Sequence, residues 1–128
     1  DFNGETHGRI VKPGFLPAEE LIALYANALA FIHLSKEEGF NIPMLEAANC
    51  GAPLILSDIA VHKEIAGSGA LFVNFDKKGE IEKAMLKILE KDSREVFAGK
   101  AKALARNYSW QKSAQKVKEM LYSGSWKS

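Results

Sequence analysis

Two glutamates, Glu38 and Glu46, stand eight positions apart within the segment Ser35-Lys-Glu-Glu-Gly-Phe-Asn-Ile-Pro-Met-Leu-Glu-Ala-Ala-Asn-Cys-Gly-Ala-Pro53. Glu38 falls on a short loop with Gly39, and Glu46 just inside a helix that Pro43 would open. Proline disfavours helical geometry in the residue before it, so Ile42 is expected outside the helix and Pro43 is its predicted first residue. The amides of Asn41 and Ile42 then lie at the helix mouth. Unpaired first-turn N–H groups and the helix dipole favour phosphate there. Two carboxylates would repel such an anion, and they make better sense as acceptors for the hydroxyls of the same ligand. The plainer reading is also physical: a glutamate near a helix N-terminus is ordinary dipole chemistry, and Glu-Gly is an ordinary turn. The residue types alone leave both readings standing.

Other chemistry-bearing residues are less suggestive. Gly67-Ser68-Gly69 precedes an apolar run instead of following one, which makes it a turn and a poor phosphate loop. His33 ends an apolar run and reads as a packed, hydrogen-bonded histidine before a catalytic one. His7 and His62 have no partners at ligand spacing, so no metal site is expected. Cys50 reads as a small core residue. Lys77-Lys78 and the charged run from Lys91 to Arg94 read as solvated helix faces, and Trp110 as a hydrophobic anchor.

The elements that must position these residues alternate between short apolar runs and amphipathic helices. Arg9-Ile-Val-Lys12 predicts a strand ending at Pro13-Gly14. Leu21, Leu24, Tyr25, Ala28 and Leu29 recur with helical period over residues 17–29. Residues 30–34, 53–56 and 70–73 are continuous apolar runs of strand length, the pattern of parallel strands covered on both faces. Helices are predicted at 43–50 and 60–66, the first closed by Gly51 in a left-handed conformation and by Pro53. Beyond Val73 the chain reads as wholly helical. Ile81, Ala84, Met85, Ile88 and Leu89 make one stripe, and Val96, Phe97, Ala101 and Leu104 a second. A last helix is capped by Ser109, with Trp110, Ala114, Val117 and Leu121 expected on its buried face. The class is α/β with a parallel sheet.

Composition narrows the function classes. The chain has 128 residues, 47% hydrophobic and 26% charged, which fits a single globular domain or part of one. A net charge of +1 with no basic block argues against nucleic acid as a partner. A single cysteine excludes an internal disulfide and any multi-cysteine metal site, and fits a reducing, cytoplasmic setting. No apolar run approaches bilayer-spanning length. Residues 1–8 read as a loop, without a signal-peptide pattern.

The segment around the two glutamates closely resembles the Glu-x7-Glu region of retaining, nucleotide-sugar-dependent glycosyltransferases of the two-domain GT-B architecture, the group 1 or family 4 type. Phe31, Ser35, Glu38, Gly39, Phe40, Pro43, Leu45, Glu46, Ala47, Gly51 and Pro53 match that family's recurrent line at the right spacing. Gly14 with Glu20-Leu21 and Leu24-Tyr25, then Glu64-Ile65 and Gly67, and finally Tyr108-Ser109-Trp110 extend the likeness over residues 10–120. The resemblance implies that Glu38 contacts the transferred sugar beside its reacting carbon. Gly39, Phe40, Asn41 and Ile42 would present backbone amides to sugar and diphosphate, and Glu46 would hold the ribose hydroxyls. The turn at Gly14, Phe15 and Leu16 would lie near the nucleobase. Two positions depart from the family's pattern. Asn41 stands where glycine is usual, and Leu34 replaces a proline.

The resemblance further implies a partial Rossmann-like sheet, residues 9–128 being part of a C-terminal, donor-binding domain. Strands 1 and 2 of the family's 3-2-1-4-5-6 order, and the Arg/Lys pair that grips the diphosphate, find no counterpart. The strand near residue 10 is therefore expected to pack beside the 30–34 strand, to exchange with a second copy in a dimer, or to be displaced. No cofactor and no metal are expected, only a UDP- or GDP-sugar as co-substrate. A saccharide or lipid-linked acceptor would be bound by an N-terminal domain, any membrane contact being at a cytoplasmic face, and this chain alone would be inactive. The alternatives are a non-catalytic α/β interaction module and a sugar-nucleotide epimerase or phosphorylase of the same architecture.

Overall fold

The computed structural model describes residues 10–124; the loop expected at 1–8, with His7 and Arg9, lies outside them. Three strands, β1 (Phe31–His33), β2 (Leu54–Ser57) and β3 (Ala70–Val73), form a parallel sheet in that order. The helices are α1 (Ala18–Asn27), α2 (Ile42–Cys50), α3 (Ala60–Ala66), α4 (Glu80–Leu89), α5 (Lys91–Ala105) and α6 (Trp110–Ser123), with one 3-10 turn at Gly67–Gly69. The class is α/β, a parallel sheet flanked by helices.

Central strand β2 explains the continuous apolar run at its position. All four of its residues are buried, because helices cover both faces. Leu54 and Leu56 pack with Met44, Ala47 and Ala48 of α2 and with Ala101 and Leu104 of α5. Ile55 belongs to the opposite layer with Val73, Ala84, Ile88 and Phe97. Alanines on α2 and α5 let those two helices approach closely, which fixes α2 over the sheet.

The caps of α2 set its position along the strand axis. Gly51 closes it at φ 88°, its N–H reaching the carbonyls of Ala47 and Ala48. At the other end the helix starts at Ile42, one residue before the predicted start, with Pro43 inside the first turn. Asn41 is the reason: its side-chain oxygen accepts from the Met44 N–H, capping the helix earlier than the proline alone would.

Two expectations are corrected. Residues 10–12 form no strand; Ile10 and Val11 are exposed, and the described residues place no strand against the outer edge of β1. A strand is stable only where its backbone groups find partners, and these residues are displaced from the sheet. The cap of α6 is as expected, Ser109 Oγ accepting from the Lys112 N–H. Its apolar stripe, however, is not buried: no residue of α6 is, and Trp110 is 79% exposed. A stripe is buried only when another element lies against it, and no described element covers α6.

Candidate functional site

His33 ends β1 and Ser57 ends β2, so both stand at the carboxyl edge of the parallel sheet. Ligands of open α/β sheets gather at that edge. The loop from Leu34 to Asn41 leaves β1 there and turns back to start α2. Its carboxylate, Glu38, meets the strand it left: His33 Nε2 lies 2.5 Å from Glu38 Oε1. A carboxylate only accepts, so Nε2 carries the proton. This hydrogen bond holds the Glu38 carboxyl below the usual carboxylate range, with a smaller contribution from Ser35; partial burial opposes it. Glu38 is thereby kept as an oriented anion at the sheet edge.

Glu46 lies exposed on α2, on the side toward Tyr25 of α1. Burial raises the Tyr25 phenol above its ordinary range, and the nearby charge of Glu46 adds to that. An aromatic row links the surroundings of the two glutamates. Tyr25 meets Phe31 edge-on at 5.8 Å, Phe31 stacks on His33 at 6.1 Å, and His33 meets the His62 ring edge-on at 5.8 Å. Phe31 and His33, two apart on one strand, necessarily share a face. That face carries both carboxylates' neighbours.

Between the glutamates runs a strip of backbone donors. The N–H groups of Gly39, Phe40, Asn41 and Ile42 have no acceptor among the described residues. Pro43 has no N–H, and that of Met44 is taken by Asn41. Ile42 is therefore a first-turn donor left to a ligand, and the loop amides add three more. Asn41 is the only described non-glycine residue with positive φ, at 62°, which turns the strip toward the helix mouth. Phe40 packs edge-on against Tyr108 at 5.7 Å, and the Tyr108 hydroxyl donates to the Ile65 carbonyl at 3.2 Å. The loop is thus braced from the chain beyond α5.

The turn at Gly14, Phe15 and Leu16 has Gly14 at φ 70°. Phe15 is 98% exposed, while Leu16 lines an open groove with Leu24, Ala28, Phe31 and Ile32. Cys50, expected in the core, is only partly buried. The described residues hold no cluster of three or more histidines, cysteines or carboxylates, and none of their helices is long and apolar enough to cross a membrane.

Residues 5–104 match the sequence model of the glycosyl transferases group 1. The chain belongs to the group 1 glycosyltransferases. It is 35% identical over 109 residues to the O-antigen chain mannosyltransferase B of Escherichia coli, covering 84% of this chain and 29% of that protein. With the serotype-specific mannosyltransferase WbdA of Escherichia coli it shares 35% identity over 115 residues, 87% of this chain and 14% of the relative. The O-antigen chain mannosyltransferase RfbU of Salmonella typhimurium is 42% identical over 69 residues, 54% of this chain and 20% of its own length. This group 1 chain spans less than a third of the length of each of these relatives. No solved structure matches it.

Residue type, spacing and the family resemblance single out Glu38, Glu46 and the Gly39–Ile42 amides as candidates, but not what supports them. His33 is hydrogen-bonded, as its place at the end of an apolar run suggests, but that its partner is Glu38 depends on a loop return that spacing does not reveal. His62 and Ser57, both fully buried, were not connected to the site at all. The departure from glycine at Asn41 was the one available signal, because a side chain in a left-handed position needs something to hold it.

Proposed function

We propose that this chain is the donor-binding portion of a retaining mannosyltransferase that uses a nucleotide-diphosphate sugar. The observation that carries the reading is the strip of four unpartnered amides, Gly39 to Ile42, beside a glutamate held ionised by His33. Amides and helix mouth suit a diphosphate; oriented carboxylates suit sugar and ribose hydroxyls. The names of the relatives favour mannose, and so GDP-mannose over a UDP-sugar. Glu38 would lie beside the reacting carbon, Glu46 at the ribose, and the Gly14-Phe15-Leu16 turn near the base.

On this reading the anomeric C–O bond to the diphosphate breaks as the acceptor oxygen bonds to the same face of the sugar. The acceptor's proton passes to the departing diphosphate, with no metal required. The chain's own residues orient the donor and stabilise developing charge, so Glu38 needs no proton to give. The acceptor, a saccharide or lipid-linked saccharide, would be held by residues outside this chain. The outer edge of β1, against which no described strand lies, would pair with a strand of a second copy; a species that stays monomeric at all concentrations in sedimentation velocity contradicts that pairing.

Steady-state kinetics of the enzyme that carries this domain test the roles. Glu38→Ala is expected to lower kcat by about 10²-fold or more with little change in donor affinity. Glu46→Ala is expected mainly to raise the donor KM. The reverse pattern, or a product of inverted configuration, contradicts the reading.

A further inference from the structure

Behind the loop lies a buried polar network in which His62 and Ser57 have no part in the roles given above. His62 on α3 and Ser57 at the end of β2 are both 0% exposed, and Asn41 is 7% exposed. The chemistry of the atoms fixes the orientation of the Asn41 carboxamide and the tautomer of His62. The Met44 N–H can only donate, so the Asn41 atom 3.2 Å from it is Oδ1. Asn41 Nδ2 then faces His62 Nε2 at 3.1 Å and donates to it. Nε2 must therefore be the unprotonated nitrogen. The proton sits on Nδ1, which faces the Ser57 carbonyl at 3.0 Å and the Ser57 hydroxyl at 3.1 Å. That hydroxyl accepts from the Ser35 N–H at 3.2 Å. No buried side-chain polar atom among the described residues is left without a partner.

One imidazole thus ties the two ends of the loop together. Through Ser57 it holds Ser35, where the loop leaves β1, and directly it holds Asn41, where the loop enters α2. Its edge also abuts His33, the partner of Glu38. We propose that His62 is a positioning residue: as the neutral Nδ1–H tautomer it holds Asn41 in its left-handed conformation and so sets the donor strip of Gly39 to Ile42. Asparagine tolerates that conformation better than most residues, but unlike glycine it pays a steric cost. The hydrogen bond to His62 offsets this cost and keeps the carboxamide paired in a buried place. The other tautomer would set two N–H donors face to face. Its consequence for ligand binding rests on the donor-site reading above; its effect on the loop does not.

The test is a double-mutant cycle with His62→Phe in the parent and in the Asn41→Gly background, read by hydrogen exchange of the Met44 amide, which residue 41 holds, and by affinity for GDP-mannose. Glycine adopts positive φ without side-chain support and leaves no carboxamide unpaired. In the parent, His62→Phe is expected to speed exchange of the Met44 amide at least about five-fold, the effect of one unpaired buried polar group, and to weaken GDP-mannose to match. In the Asn41→Gly background the same substitution should have a clearly smaller effect. Equal effects in both backgrounds would make His62 a packing residue and overturn the proposal. If the parent binds no GDP-mannose while the exchange cycle still shows coupling, the donor-site reading falls and the positioning role stands. Nitrogen-15 NMR of the unmutated chain gives a check needing no variant: a protonated Nδ1 with bare Nε2 is expected, and the reverse tautomer overturns the proposal.

Discussion

A carboxylate at a sheet edge acquires a role only through what holds it, and for Glu38 that is His33. The folded-state pKa of Glu38 is depressed, so its ionised form contributes stability above the unfolded-state pKa. That contribution is lost as pH falls through the depressed folded-state value. Replacing His33 with phenylalanine keeps a ring against Phe31 but removes the donor. The Glu38 carboxyl is then expected to titrate higher, near an ordinary glutamate, in carbon-detected NMR. The stability gap between parent and variant in urea melts should be open at neutral pH and close on acidification below the Glu38 pKa of the parent. A Glu38 titration unchanged by the substitution would show that His33 is not its main partner. The glutamates themselves were legible from residue type and spacing. The histidines were not, because a five-residue loop return and a buried hydrogen bond across elements leave no period in a sequence.

At the scale of elements, the close seat of α2 on the sheet aims the site, and Gly51 ends that helix. A Cβ at Gly51 would strain the left-handed backbone and meet the Lys102 side chain, whose flexible end can move aside. Gly51→Ala is therefore expected to cost about 1–2 kcal/mol, mostly backbone strain, measured by chemical denaturation. A cost near zero would mean that the turn relaxes out of its left-handed form. Helix α6 makes the opposite prediction. It is capped but buries nothing, and isolated helices of its length are marginal. Ser109→Ala should remove about 1 kcal/mol of helix stability and fray residues 110–123 without moving the main unfolding transition. A lowered main transition would show that α6 is coupled to the core. Three strands and six helices were recoverable from apolar runs, helical period and cap residues. The strand expected at 9–12 and the burial of Trp110 were not, because each depends on a neighbour the pattern does not encode. Ile10 and Val11 have strand-forming side chains but stand exposed, unpaired with the outer edge of β1, and Val117 and Leu121 have a stripe but no described surface to meet.

Across the whole molecule, the sheet delivers two strand ends, one helix mouth and one loop to a single edge, and the helices behind it hold that edge in place. Membership in the group 1 glycosyltransferases accords with this arrangement, and the account's central claim is that the Gly39–Ile42 strip with Glu38 and Glu46 receives the nucleotide sugar. The most direct measurement is amide mapping by nitrogen-15 NMR while GDP-mannose is added, compared with UDP-sugars and with Glu46→Ala. The account predicts saturable shifts centred on Gly39, Phe40, Asn41 and Ile42 with GDP-mannose, weakened in Glu46→Ala. Shifts confined to other elements, or no saturable shift with any nucleotide sugar, would contradict it.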